Sequence, residues 1–168
     1  MRRPIGAALF VLAGMVGAGC EQPQLTAPSL IRPQFAAATT TPVSASGTLT
    51  ITDPGKQWVS DNKIAHIRDQ IQTGPVNGDL SGSITVMGRA DVTVATQTGT
   101  GSGKFTITAT GGTWEGSFEG RFDGGVFFGQ LVAQGTSDFA GLVLRGIITQ
   151  SGANRSYMLT GTILNPGG

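Results

Sequence analysis

From Thr113 to Phe122 the chain alternates with period two. Trp114, Gly116, Phe118, Gly120 and Phe122 fall on one side, and Thr113, Glu115, Ser117, Glu119 and Arg121 on the other. Successive side chains on a strand point to opposite faces, so this stretch predicts a half-buried strand with its aromatics on a core. Asp123-Gly124-Gly125 supplies turn residues that tolerate positive φ, and Val126 to Gln134 reads as the returning strand. This hairpin organises the stretch Gly101 to Gly135, and the rest of the chain must accommodate a sheet.

The composition agrees. Only 12% of the 168 residues are charged, and 27 are glycine. Low charge with many Gly and Thr suits an all-β domain rich in turns, and argues against a helical bundle or a charged disordered tail. Leu49 and Ile51, then Leu80, Ile84 and Val86, then Phe105 and Ile107 read as inward positions of further strands. Gly141 to Gln150 and Tyr157 to Leu164 supply the last two. Residues 61–73 fit a helix capped by Asp61 and stopped by Gly74-Pro75, or a strand with Ala65, Ile67 and Ile71 on one face. The surrounding pattern selects the strand. Strands recurring at short intervals with Gly turns predict an antiparallel up-and-down β-barrel of about eight strands, since closure also removes the exposed edges.

The start of the chain has a different character. Arg2 and Arg3 precede an apolar run from Ile5 to Val16, and small residues come next, which is the layout of a secretory signal peptide over 1–19. The run is short for a membrane span of ~20 residues. Gly17-Ala18-Gly19-Cys20 resembles the lipobox of bacterial lipoproteins, with Gly17 standing where that family usually carries Leu. The resemblance implies acylation of Cys20, membrane lipid as a partner, and the bacterial cell envelope as the location. With Glu21 rather than Asp after the cysteine, it implies the outer membrane. The alternative is ordinary cleavage nearby and a secreted protein. Residues 20–46 carry Pro23, Pro28, Pro33 and Pro42 among Ala, Thr, Gln and Ser, and read as a disordered tether ahead of a domain over 47–168.

Chemistry is sparse. Taking away Arg2 and Arg3 turns the formal net charge of +1 into −1, and no basic run occurs, so nucleic acid is not an expected partner. One cysteine and one histidine cannot assemble a zinc site, and no cofactor is expected. Gly103-Lys104 is not a phosphate-binding loop, because Thr98 and Phe105 break that motif at both ends. No G-x-S-x-G elbow occurs. Asp79, Asp91, Asp123 and Asp138 read as turn formers. His66 and Arg68 share a strand face and are the candidate site residues. They form either a polar centre in the lumen, able to orient a carboxylate or polarise a carbonyl, or a surface face. Trp58 and Tyr157 are candidates to line or fill the lumen, and Phe105, Trp114, Phe118 and Phe128 to pack it.

Gly101-Ser-Gly-Lys-Phe-Thr-Ile-Thr, Gly112-Thr-Trp-Glu-Gly-Ser-Phe-Glu-Gly and Phe139-Ala-Gly-Leu are similar to the allene oxide cyclase-like and dirigent-like barrels. The resemblance implies a barrel that cyclises a hydrophobic substrate or steers phenol coupling without metal or cofactor, but no catalytic position of that family has a counterpart here. Two functions therefore stand: binding of a small apolar ligand or a structural surface role, and cofactor-independent isomerase or cyclase chemistry in the lumen.

The anchor has a direct test. Mass spectrometry of the exported protein is expected to find fatty acid on Cys20, and Cys20→Ser is expected to release the domain as soluble protein. An unmodified Cys20, or a mature start beyond it, would remove the anchor.

Overall fold

The computed structural model describes residues 37–167. Its strands are β1 (Thr39–Thr48), β2 (Thr50–Asp53), β3 (Lys56–Val59), β4 (Ile64–Gly78), β5 (Gly82–Thr93), β6 (Thr98–Ala109), β7 (Gly112–Asp123), β8 (Val126–Gly135), β9 (Val143–Ser151) and β10 (Ser156–Asn165). All pairings are antiparallel, and from β4 to β10 each strand pairs with its neighbour in sequence. β1 pairs with β10 along its length and with β4 at Ala45 and Ser46, so the sheet returns on itself in a ring-like arrangement. The fold is all-β, and the ambiguous segment is strand from Ile64 onward. The sheet has ten strands rather than about eight, because the short β2 and β3 both lie on β4, outside the circuit that β1 closes.

Strand β1 corrects the expected domain boundary. The tether assigned to 20–46 gives way to strand at Thr39, ahead of Gly47, and Val43 and Ala45 are buried. Pro42 argues against a strand only where its missing N–H is needed. Here the Ser44 N–H donates to Asp79 Oδ2 at 2.7 Å, and the Ser44 carbonyl accepts from the Asp79 N–H at 2.9 Å. The Ser44 backbone groups therefore face away from β10. Backbone direction repeats every second residue, so Pro42 also faces away, where β1 has no ladder partner. The signal segment 1–19, Cys20 and the tether up to residue 36 lie outside the described residues.

The β7–β8 hairpin matches its pattern. Gly124 and Gly125 make the turn at φ 57° and 81°, and Trp114 is buried while Glu115, Glu119 and Arg121 are exposed. Trp114, Ile107, Leu144 and Leu159 are fully enclosed. The first three fill one end of the ring, where the Trp114 indole stacks on Phe139 from the β8–β9 connection at 5.1 Å. Tyr157 fills rather than lines the space. Its hydroxyl donates to the Pro75 carbonyl at 2.8 Å, and burial pushes its pKa up to about 12. Towards the other end the inward side chains shrink. Gly101, Gly120 and Gly129 stand side by side on β6, β7 and β8, and the Phe127 ring lies against all three. A methyl group at Gly120 would sit 2.8 Å from that ring and 2.1 Å from the Phe128 carbonyl oxygen. The Gly-aromatic alternation thus has a steric cause: the ring needs the space that the absent side chains leave. Phe128, expected inside, points outward and is 41% exposed, because its neighbour Phe127 takes the inward phase.

Trp114→Ala is expected to cost ~3–5 kcal/mol in urea unfolding, the range for truncating an enclosed aromatic. Glu115→Ala, one residue away on the outer face, is expected to change stability by less than ~0.5 kcal/mol. Equal losses would mean that the facing is wrong.

Candidate ligand-binding site

Beyond the Trp114 end the ring encloses a cavity of about 360 Å³. Ile84, Val86, Phe105, Leu131 and Leu159 line its inner part, and Phe118, Phe122 and Phe127 form an aromatic wall. Gln57, Gly152 and Arg155 are exposed residues along its lining and mark the mouth. Into this apolar space project three amides, Gln70 and Gln72 from β4 and Gln150 from β9. Gln150 Nε2 donates to Gln72 Oε1 at 3.3 Å, and Gln72 Nε2 donates to Gln70 Oε1 at 2.7 Å. The chain of amides joins two strands that are not neighbours in the sheet.

A bulge puts Gln70 inside. The β4–β5 register shifts between Ile67 and Gln70, and Asp69 takes φ 56°. Asp adopts this left-handed conformation more readily than most residues. Two residues of β4 are thereby spent on one step of the ladder, which reverses the facing beyond it. Ile67 lines the cavity, and so do Gln70 and Gln72. Ile71, expected inward, instead pairs with the exposed Met87. Period-two reading carried the phase straight through Asp69 and so put Gln70 on the wrong face. Gln150 was legible: it continues the inward phase of Leu144 and Ile148.

His66 and Arg68 do share a face, but it is the outer one, since Ile67 between them points into the cavity. Their partner is Asp91 on β5, a strand residue rather than a turn former. His66 Nδ1 lies 2.6 Å from Asp91 Oδ1, and Arg68 Nη2 donates to the same oxygen at 2.7 Å. Arg68 Nη1 also donates to the carbonyls of Ile67 and Ala90. These bonds, the Arg68 bond first and the His66 contact second, hold the Asp91 carboxyl below its ordinary value of 3.8. Trp58, outside the lumen, stacks on the His66 ring at 4.9 Å, and the Arg68 guanidinium lies 5.4 Å from the indole centre. Trp58 belongs to β3, which pairs only with β4 and is exposed throughout. The cluster therefore clasps β3 to the ring. No hydroxyl or thiol is hydrogen-bonded to His66 among the described residues, so the His-Asp pair has no nucleophile to activate there.

Glu119 and Arg121 border a shallow groove on the same outer face, together with Arg68, Arg89 and Asp91. Among the described residues no three His, Cys, Asp or Glu side chains converge as a metal site would require. No family model matches the chain, and no curated protein is similar to it in sequence.

The clasp predicts a pH dependence. Asp91 has a lowered pKa in the folded state and an ordinary one when unfolded, so its stabilisation is complete above about pH 4 and is lost as pH falls through the lowered value. Asp91→Asn is expected to flatten that part of the acid side of the stability profile, measured by urea midpoints between about pH 6 and pH 2. Because the pair is partly exposed and screened by solvent, the difference should stay within ~1 kcal/mol. An unchanged slope would mean that the clasp contributes nothing.

Proposed function

We propose that this chain is an exported protein, lipid-anchored through Cys20 in a bacterial cell envelope, whose ring works as an up-and-down barrel that holds a small apolar ligand. The observation that carries the reading is the cavity itself. Protein interiors pack to the density of organic crystals, and a ring serving only as a rigid module gains stability by filling its lumen. This one leaves about 360 Å³ beyond a fully packed end. That volume falls within the ~300–1,000 Å³ usual for ligand pockets, and an apolar lining with a few convergent polar groups is the usual composition. The likeness of Gly112 to Gly120 to the allene oxide cyclase-like and dirigent-like barrels supports a lumen role of the same kind.

The lining favours binding over isomerase or cyclase chemistry. Among the described residues it contains no carboxylate, histidine, tyrosine or lysine, and its two charged residues there, Arg89 and Arg155, are both exposed. Arg89 turns its Nε to Ser102 Oγ at 2.9 Å. Proton transfer in the lumen has no evident donor or base.

N-phenyl-1-naphthylamine, a neutral apolar dye, is expected to bind the Cys20→Ser chain saturably with enhanced fluorescence. Ile148→Trp puts a larger side chain into the cavity and is expected to weaken binding at least ~10-fold with folding retained. Dye binding that is absent, or indifferent to Ile148→Trp, would overturn the reading.

A further inference from the structure

Gln70 is 8% exposed and is the one buried polar residue among the described residues. It lines the cavity, and a bulge with a left-handed Asp69 turns it there. Bulges often re-aim a side chain beside a functional site. The hydrogen bonds of the amide chain all run one way, from Gln150 to Gln72 to Gln70. The Gln70 carbonyl oxygen is thereby used as the final acceptor. Its Nε2 amide makes no hydrogen bond among the described residues. No fully enclosed side-chain nitrogen or oxygen there lacks a partner, so this amide opens onto the cavity rather than into packed wall. A primary amide carries two N–H donors, and here both are open to a molecule in the cavity.

We infer that the ligand is an uncharged apolar molecule bearing a carbonyl group, which accepts a hydrogen bond from Gln70 Nε2. The inference rests on the lumen-binding proposal and adds the chemical class. An apolar chain satisfies Phe118, Phe122, Phe127 and Leu131, and an oxygen acceptor takes up one of the two amide donors. An ionised head group does not fit beside Gln70. Its charge would lie in apolar surroundings, and of the two cationic lining residues Arg89 is turned to Ser102 while Arg155 is exposed at the mouth. Neutral amides orient a dipole without requiring a counter-charge. The fixed direction of the chain of amides also aligns Gln72 and Gln150 behind Gln70, each polarising the next.

Displacement of N-phenyl-1-naphthylamine from the Cys20→Ser chain by 2-nonanone, nonane and nonanoate tests this. Gln70→Leu, which removes the amide, is expected to weaken 2-nonanone about tenfold relative to nonane and to the dye. That size of loss corresponds to one hydrogen bond. Nonanoate is expected to displace the dye less well than 2-nonanone. In the wild type, infrared spectra of carbonyl-labelled 2-nonanone should show its stretch moved down from its position in a hydrocarbon solvent, and Gln70→Leu should reverse the move. If Gln70→Leu does not fold, Gln70→Met supplies the same comparison. Equal losses for ketone and hydrocarbon, or a bound carbonyl at its hydrocarbon position, would overturn the carbonyl assignment while dye binding still stands. Tighter binding of nonanoate, abolished by Arg155→Gln, would overturn it in favour of an anionic head at the mouth. Absence of dye binding to the wild type would instead remove the lumen reading itself.

Discussion

The whole arrangement depends on β1 being held from both sides. It pairs with β10 from Thr39 to Thr48 and reaches β4 at Ala45 and Ser46. The closure is reinforced at one point, where Asp79 accepts from both the Ser44 N–H and Oγ and returns its own N–H to the Ser44 carbonyl. Without this link the end of β4 from Gly74 to Gly78 would lie open beside the outer edge of β1, and neither stretch carries a charge that discourages edge-to-edge pairing. Closure also creates the lumen. Every inward residue then faces another wall instead of water, and the size of each inward side chain decides whether the space is filled.

That decision differs between the two ends. At one end Ile107, Trp114 and Leu144 interdigitate beneath Phe139, leaving no room. At the other, Gly101, Gly120 and Gly129 withdraw, and the Phe127 ring lies against the wall they form. The tip of Phe118 reaches Gly103, where an added methyl would sit 2.8 Å from the ring. Rings laid against a glycine wall cover the backbone without crossing the centre. An aromatic-rich ring can therefore be solid at one end and hollow at the other. The packed end supplies the burial that holds the fold, and the hollow end is not needed for that.

The division of polar groups follows the same geometry. The ionised side chains stay outside, where Asp91 gathers His66 and Arg68 against Trp58 in partial contact with water. The amides that project into the interior are neutral, and two hydrogen bonds link them in a chain that ends at Gln70. Charges in the lumen would require paired partners and ordered water, whereas a neutral amide needs no counter-charge. The bulge at Arg68 and Asp69 separates the two sets. On one side of it β4 presents His66 and Arg68 outward, and on the other it presents Gln70 and Gln72 inward.

The sequence by itself determined the β7 strand and its facing, because a period of two is a local property and burial on one face leaves it visible in residues such as Trp114, Glu115, Phe118 and Glu119. It determined the β7–β8 turn, since Gly124 and Gly125 suit its positive φ. Three things were decided by tertiary structure. Residues 39–46 join the sheet because the edge facing Pro42 is open, which depends on where β4 ends. Gln70 enters the lumen because an aspartate takes a left-handed conformation, and alternation cannot register one inserted residue. The void exists because neighbouring strands bring three glycines side by side under one phenylalanine, a coincidence of register across residues far apart in the chain. Local spacing encodes which way a side chain points, but only the pairing of strands sets what it meets.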